Sequence, residues 1–506
     1  MLPRDPIPRA ETGIALCAPM RLISPAVFIL LRINLATALA LAGAAVLSAG
    51  QPRPNNVAQR YQQLCANCHG DKLQGAQAGS LLDDVWTAGA DDASIERSIR
   101  QGFPEKGMPA WGTAIPDKEI RAMVIYIREQ RALHAAGQIQ FAKPADFVTA
   151  RSQLHEYQVS TWVGGMKEPF SLAFLKPDLA IATEKRGHAF LIEKGKLAPR
   201  PLLGLPAVDT GSQAGLFDVV PHPDHARNGW VYIAFSDPQR NAKGEAVSLT
   251  RVVRGKIKDN TLIEQETIYQ AQTEHYIKAG GVHFGGRLAF DRAGLLYLTI
   301  GERGGKSVAQ DLGLPIGKVH RLHDDGRVPA DNPFVKDPKA LSSIWSYGHR
   351  NPQGLAFEPG TGRLYSTEHG PRGGDELNLV ERGRNYGWPV ITYGMEYSGD
   401  AITQITSQEG MEQPVTYWVP SLAVCGISFY EGNLFPRWKG QLFLATLAAQ
   451  ELRRIELRDG KVVAQEVVFK ELGRIRHVVP GPDGALYALL PERIARIAPA
   501  TTVAAP

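Results

Sequence analysis

The chain has 506 residues, of which 44% are hydrophobic and 21% are charged, with a formal net charge of +5. This length exceeds that of one ordinary domain, and the composition is that of a soluble globular protein. The positive charge is spread along the chain without a basic block, which argues against a nucleic-acid partner. Only 4 cysteines are present, too few and too scattered to form a disulfide framework.

The first fifty residues are typical of an export signal or an N-terminal membrane anchor. Arg21 and Arg32 precede an apolar run at 35–47, and small residues follow where a signal peptidase could cleave. The polar stretch before Met20 is long for a signal, so Met20 is an alternative start. An earlier apolar stretch leaves an uncleaved anchor open. We therefore predict that 1–50 is a signal peptide or anchor and that the protein is periplasmic.

A Cys-x-x-Cys-His run at Cys65, Cys68 and His69 is the most specific motif of the chain. Each of two thiols at this spacing can add across a haem vinyl group, and the histidine then becomes the proximal iron ligand. A redox dithiol does not need the histidine. A zinc site would need two further ligands, and residues 70–109 contain neither cysteine nor histidine. The motif therefore predicts covalently attached haem c.

The haem motif lies in a region, 55–131, whose pattern predicts small helices. Asp117 is a good N-cap for a helix from Lys118 to Arg131, with apolar residues at 120, 124 and 127 on one face. From about Tyr61 to Gln130 the sequence resembles a class I cytochrome c domain. The region 55–131 is thus predicted to be a small all-α cytochrome c domain.

The same resemblance proposes the second axial ligand of the iron. In that family the distal methionine lies in a tight loop, which corresponds here to Met108 in the run 107–112. Met123 is the alternative, but packing within the last helix explains it. Ligation by histidine and methionine raises the reduction potential, as suits an electron acceptor.

From Gln158 onward the sequence pattern changes to short strands. An apolar strand, a turn rich in Pro, Asp and Gly, and a second strand recur six times over 158–500, which predicts an all-β six-bladed propeller. A β-sandwich is the alternative fold for this region. The residues before it, 132–157, are predicted to be a linker between the two domains. The six copies are 172–183, 219–235, 288–301, 355–368, 427–446 and 478–489.

Three stretches of this region together resemble the soluble PQQ-dependent glucose dehydrogenase and aldose sugar dehydrogenase family. They are a glycine-rich loop around His283, the run 346–355, and the run 367–378 with 385–389. The likeness extends over most of 161–497. It implies PQQ and Ca²⁺ as cofactors and oxidation of an aldose at its C1 hydroxyl group.

The resemblance also implies roles for particular residues. His283 would be the base that takes the C1 hydroxyl proton, and Arg350 and Asn351 would face the quinone C5 oxygen. Arg474 and Arg476 would bind the PQQ carboxylates, with both side chains on one face of a strand. The further residues implied are Gln213 lining the active site, the Gly370 and Pro371 carbonyls on the activating Ca²⁺, and Glu376 and Tyr386 on a second, structural Ca²⁺.

Three positions depart from the family pattern. Ala448 stands where the glucose dehydrogenases place a lysine on the cofactor, so one contact is missing or replaced. Val282 replaces an acidic residue beside the base. Cys425 stands where a serine is common in the aldose branch. These changes leave the chemistry in place and leave the substrate open.

Together the motifs predict an exported quinohaemoprotein that oxidises an aldose to its lactone. Electrons would pass to its own haem and then to a soluble cytochrome or the respiratory chain, which requires the haem to approach the open cofactor face. One alternative is the same cofactor acting on another sugar-derived alcohol or aldehyde, such as a sorbosone-like compound. Two others are a calcium-dependent lactonase and a propeller without catalytic activity.

Overall fold

The computed structural model describes residues 57–138, 147–470 and 472–500. The predicted signal peptide or anchor at 1–50 lies outside these ranges. None of the helices within them combines the length and the apolar character that crossing a bilayer requires.

The N-terminal domain is helical, as predicted. A short helix leads into the haem motif, a second carries the motif, and two longer helices follow around a single 3₁₀ turn. Asp91 caps one of the longer helices, since its Oδ1 accepts a hydrogen bond from the Ser94 amide at 2.9 Å. The elements are α1 (Val57–Leu64), α2 (Ala66–His69), α3 (Asp92–Gln101), the 3₁₀ turn Pro104–Lys106, and α4 (Asp117–Ala135).

The predicted cap of α4 is wrong. Pro116 occupies the N-cap position without a side-chain hydrogen bond, and Asp117 is the first helical residue. Its carboxylate forms an ion pair with Arg100 of α3 instead, and that pair removes it from the capping position. The predicted apolar face is confirmed, because Ile120, Val124 and Ile127 are all buried.

These helices enclose a small core of their own. Tyr61, Ile95 and Ile120 lie in it, and Met123 is only 1% exposed, which confirms its predicted packing role. Cys65 and Met108 are half-buried against the edge of this core. The loop that carries Met108, residues 103–112, is called the methionine loop below. The residues of the haem motif and of the methionine loop therefore border one apolar interior.

The C-terminal domain is a six-bladed propeller. Each of the six predicted repeats forms the first two strands of one antiparallel sheet. The short helix α5 (His225–Asn228) connects the first two strands of blade 2. Blade 1 consists of β3 (Pro169–Lys176), β4 (Leu179–Glu184), β5 (His188–Glu193) and β6 (Lys196–Leu197), and blade 2 consists of β7 (Leu216–Pro221), β8 (Trp230–Arg240), β9 (Ala246–Lys258), β10 (Thr261–Tyr269) and the short β11 (Ile277–Lys278). Blade 3 consists of β12 (Leu288–Phe290), β13 (Leu296–Ile300), β14 (Lys318–Leu322) and β15 (Ile344–Tyr347), and blade 4 consists of β16 (Pro352–Phe357), β17 (Leu364–Glu368), β18 (Asp375–Val380) and β19 (Thr416–Trp418). Blade 5 consists of β20 (Val424–Phe429), β21 (Leu442–Thr446), β22 (Glu451–Arg458) and β23 (Lys461–Lys470).

The ring is closed by pairing the two ends of the propeller. Blade 6 consists of β1 (Phe147–Arg151), β2 (Glu156–Gly164), β24 (His477–Pro480), β25 (Leu486–Leu490) and β26 (Arg493–Pro499). Its strand order is β1-β2-β26-β25-β24, so β2 from the start of the domain pairs antiparallel with the last strand, β26. The predicted linker at 132–157 is therefore too long, because α4 takes its first residues and β1 and β2 take its last.

The first strand of each blade contacts the first strand of the next around the axis. The contacts follow the order β3, β7, β12, β16, β20, β24 and back to β3. Blades 3 and 6 consequently lie on opposite sides of the axis. The segments preceding all six first strands meet at one end of the ring, which we call the mouth.

Replacing Trp438 by alanine is expected to cost about 3–5 kcal/mol of unfolding free energy, because it empties a large, fully buried site. The indole is 0% exposed and packs on Phe435 and Phe443, with ring centroids 4.2 and 5.1 Å away, and on Tyr157 of β2. Urea denaturation would measure the loss. Trp230→Ala, at a half-buried position, is the matched control, and an equal loss in both variants would contradict the packing argument.

Candidate active site

The structure brings the residues predicted for catalysis and cofactor binding to the mouth. Gln213 precedes β7, His283 precedes β12, and Arg350 and Asn351 precede β16. Gly370 and Pro371 lie in the β17–β18 loop, which reaches the same end because β17 runs antiparallel to β16. Residues far apart in sequence thus share one rim.

His283 is held by Glu302, a residue that the sequence analysis did not identify. The His283 Nδ1 lies 2.6 Å from Glu302 Oε1. Because a carboxylate can only accept hydrogen bonds, the proton is on Nδ1 and Nε2 is left as the basic nitrogen. The His283 amide donates to Gln213 Oε1 at 2.9 Å, which fixes a backbone with φ of +57°. Gln213 therefore positions the predicted base.

The electrostatic surroundings keep the His283 ring neutral. Burial lowers the pKa of His283, and the positive charge of Arg350 lowers it further, against the opposing effect of Glu302. The pKa of Glu302 is also lowered: burial raises it, but the neighbouring His283 and Arg350 outweigh that effect. A neutral imidazole beside an ionised carboxylate is the protonation state that a general base needs at neutral pH.

Arg350 and Asn351 hold loops of the rim. Arg350 Nη1 donates to the carbonyls of His369 and Gly370, at 3.0 and 2.7 Å, and its Nε is buried without a partner among the described residues. Asn351 Oδ1 accepts from the Gly285 amide at 3.2 Å. The unpaired Arg350 nitrogen leaves one donor for an anionic or carbonyl group.

Arg303 contacts the glycine-rich loop that carries His283. It is 7% exposed, and its guanidinium lies 3.5 Å above the Phe284 ring centroid. Its Nη2 donates to the Gly280 carbonyl at 2.7 Å, and its amide donates to the His283 carbonyl at 3.3 Å. The cation thus contacts both sides of the loop and adds positive charge near the ring of the base.

Replacing Arg303 by glutamine is expected to move the acid limb of the kcat/KM profile to higher pH. Removing a positive charge makes the imidazolium less unfavourable and so raises the pKa of His283. The other charged or titratable groups facing the ring are Glu302, Arg350 and His369. Arg303→Lys keeps the charge and should leave the limb in place. Equal shifts in both variants, or none in the first, would contradict an electrostatic role.

The prediction that Arg474 and Arg476 lie in a strand is wrong, because both residues are in the extended segment before β24. Arg476 Nη1 points to the sulfur of Cys425 at 3.6 Å, and Arg474 Nη2 is buried without a partner among the described residues. Burial lowers the pKa of Lys185, and the two arginines lower it further. A concentration of positive charge with an unpaired donor therefore faces this side of the mouth.

The predicted calcium ligands are present, but they have protein partners. The Gly370 carbonyl accepts from Arg350, and the Pro371 carbonyl accepts from Ser421 Oγ at 3.2 Å. Each carbonyl keeps a second lone pair. Across the described ranges, no three side chains of His, Cys, Asp or Glu form a metal-binding group.

Glu376 and Tyr386, predicted for a second calcium, make separate contacts. The Tyr386 hydroxyl donates to the Leu379 carbonyl of β18. Glu376 accepts from Asn378 Nδ2 at 3.1 Å, and burial together with the neighbouring Glu368 raises its pKa to about 8.

His69, the predicted iron ligand of the haem motif, has an oriented ring. His69 Nδ1 lies 3.2 Å from the Gly79 carbonyl, which fixes the ring and leaves Nε2 for iron. Burial lowers the pKa of His69 and raises that of Cys65 to about 12. Met108 is held by paired backbone hydrogen bonds with Phe103, at 2.9 and 3.1 Å, which close the methionine loop.

Sequence reasoning missed Glu302 and Arg303 although a signal was present. They occupy a run, 301–305, in which glycines flank two charged residues directly after the apolar strand β13. A charged pair at a strand end in a glycine-rich loop is a common setting for functional groups. His369, within the run 367–378, is half-buried, and its Nε2 is buried and unpaired among the described residues.

Comparison with known proteins decides the family. A family model described as Glucose / Sorbosone dehydrogenase matches residues 166–498, more than half of the chain. The chain belongs to the glucose/sorbosone dehydrogenase family. A second model, described as Cytochrome C oxidase, cbb3-type, subunit III, matches residues 52–127. The N-terminal domain is accordingly a cytochrome c domain.

Members of the glucose/sorbosone dehydrogenase family resemble the propeller over nearly its whole length. The aldose sugar dehydrogenase YliI of Escherichia coli is 39% identical over 333 residues, covering 65% of this chain and 88% of that protein. A crystal structure of a glucose dehydrogenase is 41% identical, with a TM-score of 0.64, covering 68% of this chain and 99% of that one. The PQQ-bound aldose sugar dehydrogenase of Streptomyces coelicolor is 25% identical, with a TM-score of 0.56, covering 71% and 99%.

Proposed function

We propose that this protein is a periplasmic quinohaemoprotein that oxidises an aldose at C1 to its lactone with PQQ and Ca²⁺. The electrons pass to its own covalently bound haem c and then to an external carrier. Family membership and the PQQ-bound relative support the cofactor and the reaction class. The Cys-x-x-Cys-His motif within a cytochrome c domain supports the covalent haem.

The residues at the mouth fit an anionic quinone. PQQ carries three carboxylates, and the mouth offers Arg474, Arg476 and Lys185, with Arg474 Nη2 and Arg350 Nε buried and unpaired among the described residues. Unpaired buried donors are costly unless a ligand satisfies them. When bound, PQQ supplies a two-electron acceptor, Ca²⁺ a Lewis acid at the quinone, and haem a one-electron acceptor.

His283 removes the proton of the sugar hydroxyl group. Its Nε2 lone pair accepts the C1 hydroxyl proton, and the imidazolium that forms is stabilised by Glu302, which already accepts from Nδ1 at 2.6 Å. Gln213 holds the backbone at the base. Burial excludes water, which strengthens each of these interactions.

The contact between the cytochrome domain and the propeller mouth carries the proposal. Arg474 Nη1 donates to the carbonyl of Asn67, which lies between the two haem-motif cysteines, at 3.1 Å. Ser212 Oγ donates to the Lys106 carbonyl in the turn before Met108 at 2.9 Å. Both ends of the haem site thus lie against loops that carry predicted PQQ-site residues. A separate electron carrier at this face is not needed.

An absorbance experiment without added electron acceptor tests the proposal. The holoprotein, loaded with PQQ and Ca²⁺, is mixed with glucose, and the haem bands should change to the reduced form. The same protein without PQQ is the control and should stay oxidised. Reduction without PQQ, or no reduction by any of a panel of aldoses, would overturn it. A panel that includes sorbosone-like aldehydes tests the alternative substrate class, because the matching family model is described as Glucose / Sorbosone dehydrogenase.

A further inference from the structure

We infer that the docked cytochrome domain forms a cap over the sugar site and thereby restricts the enzyme to small aldoses. This inference rests on the proposed function. It adds a role in substrate selection to a domain whose proposed role is electron transfer. Contacts with opposite blades, close packing without spare space, and solvent-exposed side chains at one side of the rim support it.

The cytochrome domain touches opposite sides of the mouth. On one side Arg474, in the segment leading into blade 6, bonds to the Asn67 carbonyl at 3.1 Å. On the other, the methionine loop meets the segments leading into blades 2 and 3, where Ser212 bonds to Lys106. Because blades 3 and 6 face each other across the axis, a body that touches both bridges the mouth.

The methionine loop packs closely on the loop of the base. A Cβ atom at Gly107 would lie 2.9 Å from Val282 Cγ1, a contact too short for carbon atoms. A Cβ atom at Gly281 would lie 3.4 Å from the Glu105 carbonyl. The chain at Gly107 therefore approaches the residue beside His283 as closely as a glycine allows. No room for a second sugar ring remains between them.

The rim at blades 4 and 5 remains open to water. Val419, in the loop before β20, is 63% exposed, and Tyr397, between β18 and β19, is 41% exposed. Arg372 in the β17–β18 loop is also exposed. A single pyranose ring that enters from this exposed side would lie beneath the cap. A stiff chain of several rings needs free space above the ring axis, where the cytochrome domain lies.

A reversible lock between the two domains tests the inference. Ser212 Oγ is 2.9 Å from the Lys106 carbonyl, so the double variant Lys106→Cys, Ser212→Cys places one thiol on each side of this contact, where a disulfide would lock it. The thiols of the described residues do not compete, since haem takes Cys65 and Cys68 and Cys425 is buried. Migration on a non-reducing gel reports the docked contact without any reference to activity.

Haem reduction in a single turnover is the second readout. The haem is part of the same chain, so the disulfide cannot block access of the electron acceptor, as it could for an added dye. The PQQ- and Ca²⁺-loaded double variant is mixed with glucose or with maltotriose, in its disulfide form and after reduction. We expect the disulfide to lower the second-order rate constant for maltotriose at least about tenfold more than that for glucose. The two single-cysteine variants, treated identically, should show no such change.

Other outcomes overturn the inference. An equal loss for both sugars would mean that the cap bars every substrate, and a locked protein that oxidises maltotriose as fast as glucose would mean that docking leaves the sugar path free. If neither the disulfide nor a short bis-maleimide crosslink joins the two cysteines, the docked contact itself is absent. If the disulfide forms but no aldose reduces the haem even in the unlocked protein, the proposed function fails and the docking does not.

Discussion

Replacing His283 by asparagine is expected to lower kcat for glucose by about two to four orders of magnitude, since general-base catalysis contributes that much. Asparagine matches the shape of the ring but offers no basic nitrogen. In the unchanged protein, activity should fall with decreasing pH only below the ordinary histidine range, because burial and Arg350 lower the pKa of His283. Steady-state kinetics against pH measure both effects.

Two controls separate loss of the base from loss of the site. His225→Asn, in α5 between β7 and β8 at the end of blade 2 opposite the mouth, should keep its activity. Titration with PQQ should show that His283→Asn still binds the cofactor. If His283→Asn retains more than a tenth of the kcat while binding PQQ normally, another group is the base.

Met108→Leu should lower the reduction potential of the haem and slow its reduction by sugar, whereas Met123→Leu should leave both unchanged. Leucine has the volume of methionine but no thioether, so only a ligand position is sensitive to the exchange. Both side chains belong to the same domain, and Met123 is buried in its core. Redox titration and the absorbance of the oxidised haem distinguish the two variants.

Covalent haem attachment should survive both changes, because the thioether bonds involve Cys65 and Cys68 alone. A pyridine haemochrome assay on the denatured protein checks this point. Identical potentials in the two variants would remove Met108 as the sixth ligand. A loss of ligation in Met123→Leu alone would transfer the role to the last helix.

The sequence predicted the propeller well because its signal repeats. Each inner strand is apolar, is followed by a Pro-, Asp- or Gly-containing turn, and returns as a second strand, so six local patterns support one architecture. The rim residues were predicted from motifs that lie just before those strands. Their convergence follows from the ring alone, since every first strand begins at the same end.

Other features depend on contacts that no local pattern encodes. Asp117 has the residue type of an N-cap, but an ion pair with Arg100 on another helix takes its carboxylate. Arg474 and Arg476 alternate as strand residues do, yet they lie in the segment before β24. The pairing of Glu302 with His283 depends on β13, which ends at the rim and so places Glu302 beside His283. The docking of the cytochrome domain depends on surfaces separated by hundreds of residues.

The pairing of β2 with β26 sets an order for biosynthesis. During synthesis the residues of the cytochrome domain emerge before any blade of the propeller. Strand β2 emerges soon afterwards, but its partner comes with the last residues of the chain. Until then β2 presents an unpaired edge that can pair wrongly. The ring of blades can therefore close only after β26 has been made.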